Sequence, residues 1–246
     1  MDDSTLAVVY LIFILFDVVA VIIAGLAEYN IKSKYNTCSK ITADCGLTGR
    51  EIAERILKRN DINNIEIRQI KGNLTDNYSH FSKTLNLSDE VYDSSTIAAI
   101  AIAAHESGHA IQYKKGYAGV WIRQFVIKAS NIVSRAFIPL IILGLILSFA
   151  VVSTASLGIG RILLIVSLVS LLLSVICNLA TLPVEIDASK RALKELEDMN
   201  LIDEIEYDET KSMLKAAAYT YVASLAVSLI YLLRFVVILL TIYNKK

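Results

Sequence analysis

Residues 97–114 read IAAIAIAAHESGHAIQYK, and the rest of the chain is best read outward from them. Asp93-Ser94-Ser95-Thr96 in front is a helix start, and Gly116, just past Lys114-Lys115, is a helix stop. The residues between are rich in alanine and poor in β-branched bulk, so other elements can approach closely. Their apolar core is shorter than the about 20 residues that a bilayer crossing takes, and polar groups fall near its middle. The pattern predicts a buried helix at the membrane boundary rather than a span.

Within it, His105-Glu106-Ser107-Gly108-His109 carries the chemistry. At about 3.6 residues per turn, His105 and His109 project from one face, one turn apart. Two imidazoles so spaced bind one Zn²⁺, with Glu106 beside the open position as general base. Polar residues decorating a helix are the plain alternative. It fits poorly, because histidines buried among alanines need partners.

A catalytic zinc takes a third protein ligand and leaves a fourth position to water. His80, the remaining histidine, lies in a loop of turn-forming residues, where a solvated histidine is the ordinary reading. Glu185 competes with it. In Thr181-Leu-Pro183-Val-Glu185-Ile-Asp187, Pro183 suits the first turn of a new helix capped by Thr181. Glu185 would then stand in that first turn, at the membrane surface, where the helix dipole alone favours an acid. Asp187 has an i,i+4 partner in Arg191. Position leaves both candidates open.

The solvent for much of the chain is lipid. Of 246 residues, 55% are hydrophobic, against about 45–50% in soluble domains, and the mean hydropathy is +0.54. Four segments are long and apolar enough to cross a bilayer: 6–27, 132–152, 162–182 and 219–242. The first is preceded by Asp2 and Asp3 and is too long for a signal peptide, so it reads as an anchor. The spans leave two polar blocks, 28–131 and 183–218, expected on one side of the membrane. Lysines and arginines near the span ends, among them Lys32, Lys34, Arg123, Lys190 and Lys215, place that side in the cytoplasm, although Lys245-Lys246 dissents. The balance of 24 basic and 24 acidic residues argues against nucleic-acid binding. The three cysteines form no CxxC pair and no disulfide framework.

In the longer block, Thr48-Gly-Arg-Glu51 is a capping box opening a helix over 49–60. Near-alternation at 65–70 and 84–87 predicts two short strands around an irregular loop holding Asp76, Tyr78 and His80. The strand over 82–88 is expected beside the metal helix with a free edge on which an extended substrate adds. Trp121, Ile122, Phe125 and Val126 suggest an interfacial helix leading into the second span. Tyr221 or Tyr219, at the entry to the last span, is a candidate to polarise a carbonyl oxygen in the transition state; the alternative is an aromatic anchor. Asp17 and Arg234 each fall inside an apolar span, where a lone charge is costly. Their depths agree within about 5 Å at about 1.5 Å per residue, so they can pair.

The chain resembles the YugP-type neutral zinc metallopeptidases, small bacterial membrane proteins. The resemblance is carried by KSKYN (32–36), GLTGREIA (46–53), LNLSDEVY (85–92), AAHESGHAIQ (103–112), TLPVEIDAS (181–189) and LKAAAYTYVA (214–223), in order and at similar spacing. It implies that His105, His109 and Glu185 bind zinc and that Glu106 is the catalytic base. It also implies a mainly α membrane protein: four transmembrane helices with a gluzincin-like domain, an active-site helix and a short β-hairpin, on one side. The chain departs from the family in two places. Asp76-Asn-Tyr-Ser-His80 replaces an acidic-His-Tyr-Asp-Pro run. Ser189 stands where related glutamate-ligand enzymes often have an aspartate behind a histidine, leaving Asp187 as a candidate for that supporting role.

The leading expectation is an integral-membrane zinc endopeptidase acting on peptides or membrane proteins at the cytoplasmic face. An intramembrane zinc protease with an aspartate ligand from another span is a second reading, faintly suggested by Asn178…Pro183…Asp187. A catalytically silent metal-binding scaffold is the third.

Overall fold

A computed structural model describes residues 3–122 and 154–243. Among them the chain is mainly helical with one small sheet, and three helices are long and apolar enough to cross a membrane. The apolar segment 132–152 lies outside the described residues, as does most of the expected interfacial helix; residues 118–122 are helical. The described residues fall into two compact units, one drawn from 3–26, 121–122, 154–181 and 221–243, the other from 27–120 and 182–220.

The first unit contains the apolar parts of three long helices: α1 (Asp3–Cys38), α5 (Thr154–Asp198) and α6 (Glu204–Tyr243). The most apolar window of α1 has a mean hydropathy of 2.5, yet only 11% of it is buried by protein. Apolar surface left uncovered on that scale needs lipid as its solvent. Polar groups in this unit turn toward one another instead. Asn178 Nδ2 donates to Ser228 Oγ at 3.3 Å, and Arg234 is ion-paired to Asp17 while its guanidinium lies 5.6 Å from the Phe13 ring centroid. The expected pairing of the two span charges is therefore present.

The second unit begins with the end of α1 and is organised around α4 (Ile97–Lys114). Helix α2 (Gly49–Arg59) has both bonds of its capping box: Thr48 Oγ1 accepts from Glu51 N–H, and Glu51 accepts from Thr48 N–H at 2.8 Å. It buries Ile52, Ala53, Ile56 and Leu57 in a core shared with α4. Thr96 caps α4 through the Ala99 N–H, and Gly116 follows at φ +64°, a conformation that glycine adopts without strain. Thirteen of the helix's residues are buried, from Ile97 to Gln112.

The sheet differs from the expected hairpin of two strands. Strands β1 (Glu66–Ile70), β2 (Asn77–Ser79) and β3 (Thr84–Ser88) are ordered β1-β3-β2, with β1 parallel and β2 antiparallel to β3. The extra strand comes from the stretch read as an irregular loop. Asp76 bolts it down by accepting from Ser88 N–H at 2.7 Å and Ser88 O–H at 3.1 Å. A parallel pair needs a crossover of about a dozen residues, which 71–83 supplies. The strand over 82–88 thus has neighbours on both sides, so no substrate can add to it. A four-residue helix, α3 (Asp89–Tyr92), leads to α4.

A second correction concerns Pro183. It starts no helix; α5 runs through it without interruption. Thr181 Oγ1 does not cap but donates back to the Cys177 carbonyl at 2.8 Å, inside the helix. Proline removes a helical N–H and crowds the preceding turn, and neighbouring structure evidently supports the helix here. Glu185 is consequently a mid-helix residue, and a first-turn dipole does not explain it. At the next boundary Asp203 and Glu206 bond reciprocally, Glu206 N–H to Asp203 Oδ1 at 2.7 Å and Asp203 N–H to Glu206 Oε2 at 3.2 Å, which starts α6 well before the predicted span.

The ion pair supports a test. In detergent melting, Asp17→Ala alone should destabilise the protein more than Asp17→Ala with Arg234→Leu. The coupling should be about 0.5–3 kcal/mol, the range for residues in contact, and additive losses would show that the pair does not contribute.

Candidate metal centre

Helix α4 shows two useful stripes. His105, Gly108 and Gln112 recur along the side that meets α5, while Glu106, Ala110 and Tyr113, at i, i+4 and i+7, share a neighbouring side. Gly108 is where the two helices touch: a Cβ there would lie 2.6 Å from the Ala188 carbonyl oxygen. That approach brings Glu185 and Ser189 of α5 against His105 and His109.

The donor atoms of His105, His109 and Glu185 all lie within 4.8 Å of one another. Glu185 Oε2 is 3.2 Å from His105 Nε2 and 3.6 Å from His109 Nε2. The two imidazole rings are nearly perpendicular, at 83°. Ligand atoms at about 2.0–2.1 Å from a tetrahedral zinc stand roughly 3.3 Å apart, so these separations fit a single small ion. Glu185 and His109 are buried at 2% and 3% exposure. A buried carboxylate facing two imidazole nitrogens needs a cation or protons to neutralise it. The donor set, two nitrogens and one carboxylate oxygen, suits zinc.

Each histidine is held from behind. His109 Nδ1 lies 3.0 Å from Gln112 Oε1. The Gln112 amide donates to the Val184 carbonyl and to Asp187 Oδ2, both at 2.8 Å. Because both of those partners are acceptors, the NH₂ end of Gln112 must face them and its oxygen must face His109. His109 therefore carries its proton on Nδ1 and presents a lone pair at Nε2. Asp187 is fixed in turn by Arg191, whose Nε is 2.6 Å from Oδ2. Ser189 Oγ lies 3.2 Å from His105 Nδ1. Ser189 thus sits at His105, whereas Asp187 reaches His109 only through Gln112. Sequence reasoning missed Gln112 altogether. Its signal was a polar residue three positions past His109 on an otherwise apolar helix.

Glu106 follows His105 on the half-open side of α4. Burial pushes the Asp76 carboxyl above its usual range; the Ser88 bonds oppose this, and the nearby Glu106 charge adds to the rise. His80 does not join the three donors. It stacks on Tyr113, centroids 4.3 Å apart and nearly parallel, with its Nδ1 3.4 Å from the Tyr78 hydroxyl. Burial pushes that phenol up to about 12, so it stays protonated. Tyr219 is 60% exposed, as an interfacial anchor would be, and Tyr221 belongs to the other compact unit. Cys38, Cys45 and Cys177 are free thiols.

Replacing Gln112 with methionine keeps the volume and removes the bonds. It should weaken zinc binding about 10–100-fold, as loss of an outer partner does, while the metal-free protein still folds. Competition with a chromophoric chelator measures this, and unchanged affinity would remove Gln112 from the site.

No solved structure shows a significant match to this chain. The chain is 36% identical over 230 residues to the "Putative membrane protease YugP" of Bacillus subtilis (strain 168), covering 94% of this chain and 97% of that protein. The sequence model of the family described as "Putative neutral zinc metallopeptidase" matches residues 12–240. With His105, His109 and Glu185 brought together as possible metal donors and a match over nearly its whole length, the chain belongs to that family of zinc metallopeptidases.

Proposed function

We propose that this protein is an integral-membrane zinc endopeptidase, multi-pass, with its catalytic blocks in the cytoplasm, acting on peptides or on membrane proteins presented there. The observation that carries the reading is the convergence of His105, His109 and Glu185 within 4.8 Å, with Glu106 adjacent on the same helix. The three residues would hold the ion, leaving Glu106 to handle protons. Zinc, when bound, supplies a Lewis acid that lowers the pKa of water toward about 7 and polarises a carbonyl. Glu106 takes a proton from the attacking water onto a carboxylate oxygen and delivers it to the leaving amine nitrogen. Gln112 and Ser189 keep the two imidazoles in register so that their Nε2 atoms stay on Glu185's side.

The intramembrane reading requires an aspartate ligand, and Asp187 is the residue available. Its carboxylate is held by Arg191 and Gln112, which favours Glu185 as the third ligand.

Purified protein should hydrolyse unstructured casein and contain zinc. Glu106→Gln should abolish hydrolysis, by at least about a hundredfold for a lost proton-transfer group, and leave the metal bound. Glu185→Ala should lower both activity and zinc content, and His80→Ala should leave zinc content intact. Full hydrolysis by the Glu106→Gln protein would overturn the mechanism, and loss of metal from His80→Ala would overturn the ligand assignment.

A further inference from the structure

A cavity of about 440 Å³, within the range of ligand sites, opens at one end of the sheet. It is lined by Ile62 and Ile65, by Tyr78 and His80 around the end of β2, by Lys83 and by Tyr113 of α4. Its relation to the catalytic side of α4 follows from two directions. Tyr113 and the lining residue Ala110 lie on the Glu106 stripe. Strand β2 runs beside the same helix, from Asp76, which feels the Glu106 charge, to His80, which stacks on Tyr113. β2 is an edge strand with no strand paired on its other side among the described residues, the kind of side on which an extended chain adds.

The polar lining is unequal. Lys114, also at the cavity, spends its amine on the Asn60 and Asp61 carbonyls, at 2.5 and 3.0 Å, and lies 3.8 Å from the Asp61 carboxylate. Lys83 is exposed, and its amine makes no hydrogen bond or ion pair among the described residues. Its backbone is at φ +52°, where lysine is strained and glycine is not. A strained residue that lines a cavity with a long cationic side chain points to use of that side chain.

We propose that this cavity is a substrate subsite, with Lys83 selecting an acidic side chain and the His80–Tyr113 stack and isoleucines packing against its stem. Tyr113 is about 10 Å along the helix from Glu106, and an extended peptide advances about 3.3–3.4 Å per residue. The acidic residue therefore sits about three positions from the cleaved bond, on one side of it. This inference rests on the peptidase reading for its meaning, but the subsite can be tested without hydrolysis.

Fluorescent peptides that differ only in carrying Glu, Gln or Lys three residues to either side of a cleavable bond serve as probes. With the Glu106→Gln protein in detergent, anisotropy should show the Glu peptide binding about fivefold more tightly than the Lys peptide, the size of a rim ion pair exchanged for repulsion. The preference should hold on one side only. Adding Lys83→Glu should invert the ratio, and Lys83→Gly should remove it while raising the melting temperature by relieving the backbone. The active enzyme should show the same order in kcat/KM. Equal binding of the three peptides, or a preference that survives Lys83→Glu, would overturn the subsite. Charge-selective binding without cleavage of any peptide would support the subsite and count against the peptidase reading. Casein cleavage without charge selectivity would do the reverse.

Discussion

The contact between α4 and α5 at Gly108 is the constraint on which the site depends. A single methyl group there would collide with the Ala188 carbonyl, so the helices approach more closely than larger side chains would allow. Ala104, Ala188 and Ala192, all at 0% exposure, keep the surroundings equally thin. Packed interiors transmit displacements of even one methylene, and zinc ligation tolerates only small errors in ligand position. The alanine-rich composition of α4 is therefore a requirement for bringing the three candidate donors together. It lets a carboxylate on one helix reach two imidazoles on another without long, mobile side chains.

Close approach alone would leave polar groups buried without partners, at a cost of about 1–3 kcal/mol each. The chain meets this with a connected series in which each group has a defined role. Arg191 holds Asp187, Asp187 and the Val184 carbonyl hold the Gln112 amide, and Gln112 holds His109. Since the guanidinium can only donate and the carboxylate only accept, the direction of every bond is fixed from Arg191 inward, and the histidine tautomer follows. In the span unit the same logic joins Asp17 to Arg234, with lipid rather than protein making isolation costly.

What could be read from the sequence was local or forced. The α2 capping box, the limits of α4 and the His105–His109 face depend on residues within a turn or two of each other. The Asp17–Arg234 pair was legible because an apolar span leaves a charge few alternatives. The third strand was not, because Asn77-Tyr78-Ser79 has loop composition and becomes a strand only when Asp76 meets Ser88 from twelve residues away. Pro183 misled for the same kind of reason, since its helix is set by tertiary packing rather than by its own preference. Glu185 was one of two candidates by position, and the family resemblance, not the residues themselves, favoured it. Gln112 escaped because its partners lie on a helix more than 70 residues away in sequence, and the contact of Ser189 with His105 could not be read for the same reason.

The central claim is that one zinc ion is held by two imidazoles and one carboxylate. X-ray absorption at the zinc edge of the purified, membrane-extracted protein tests it most directly. The account predicts only light-atom scatterers at about 2.0–2.1 Å, with the multiple-scattering signature of two imidazoles, and a one-carboxylate change on Glu185→Ala. A sulfur shell near 2.3 Å, which would implicate the free cysteines, or three imidazoles, which would require His80, would contradict it.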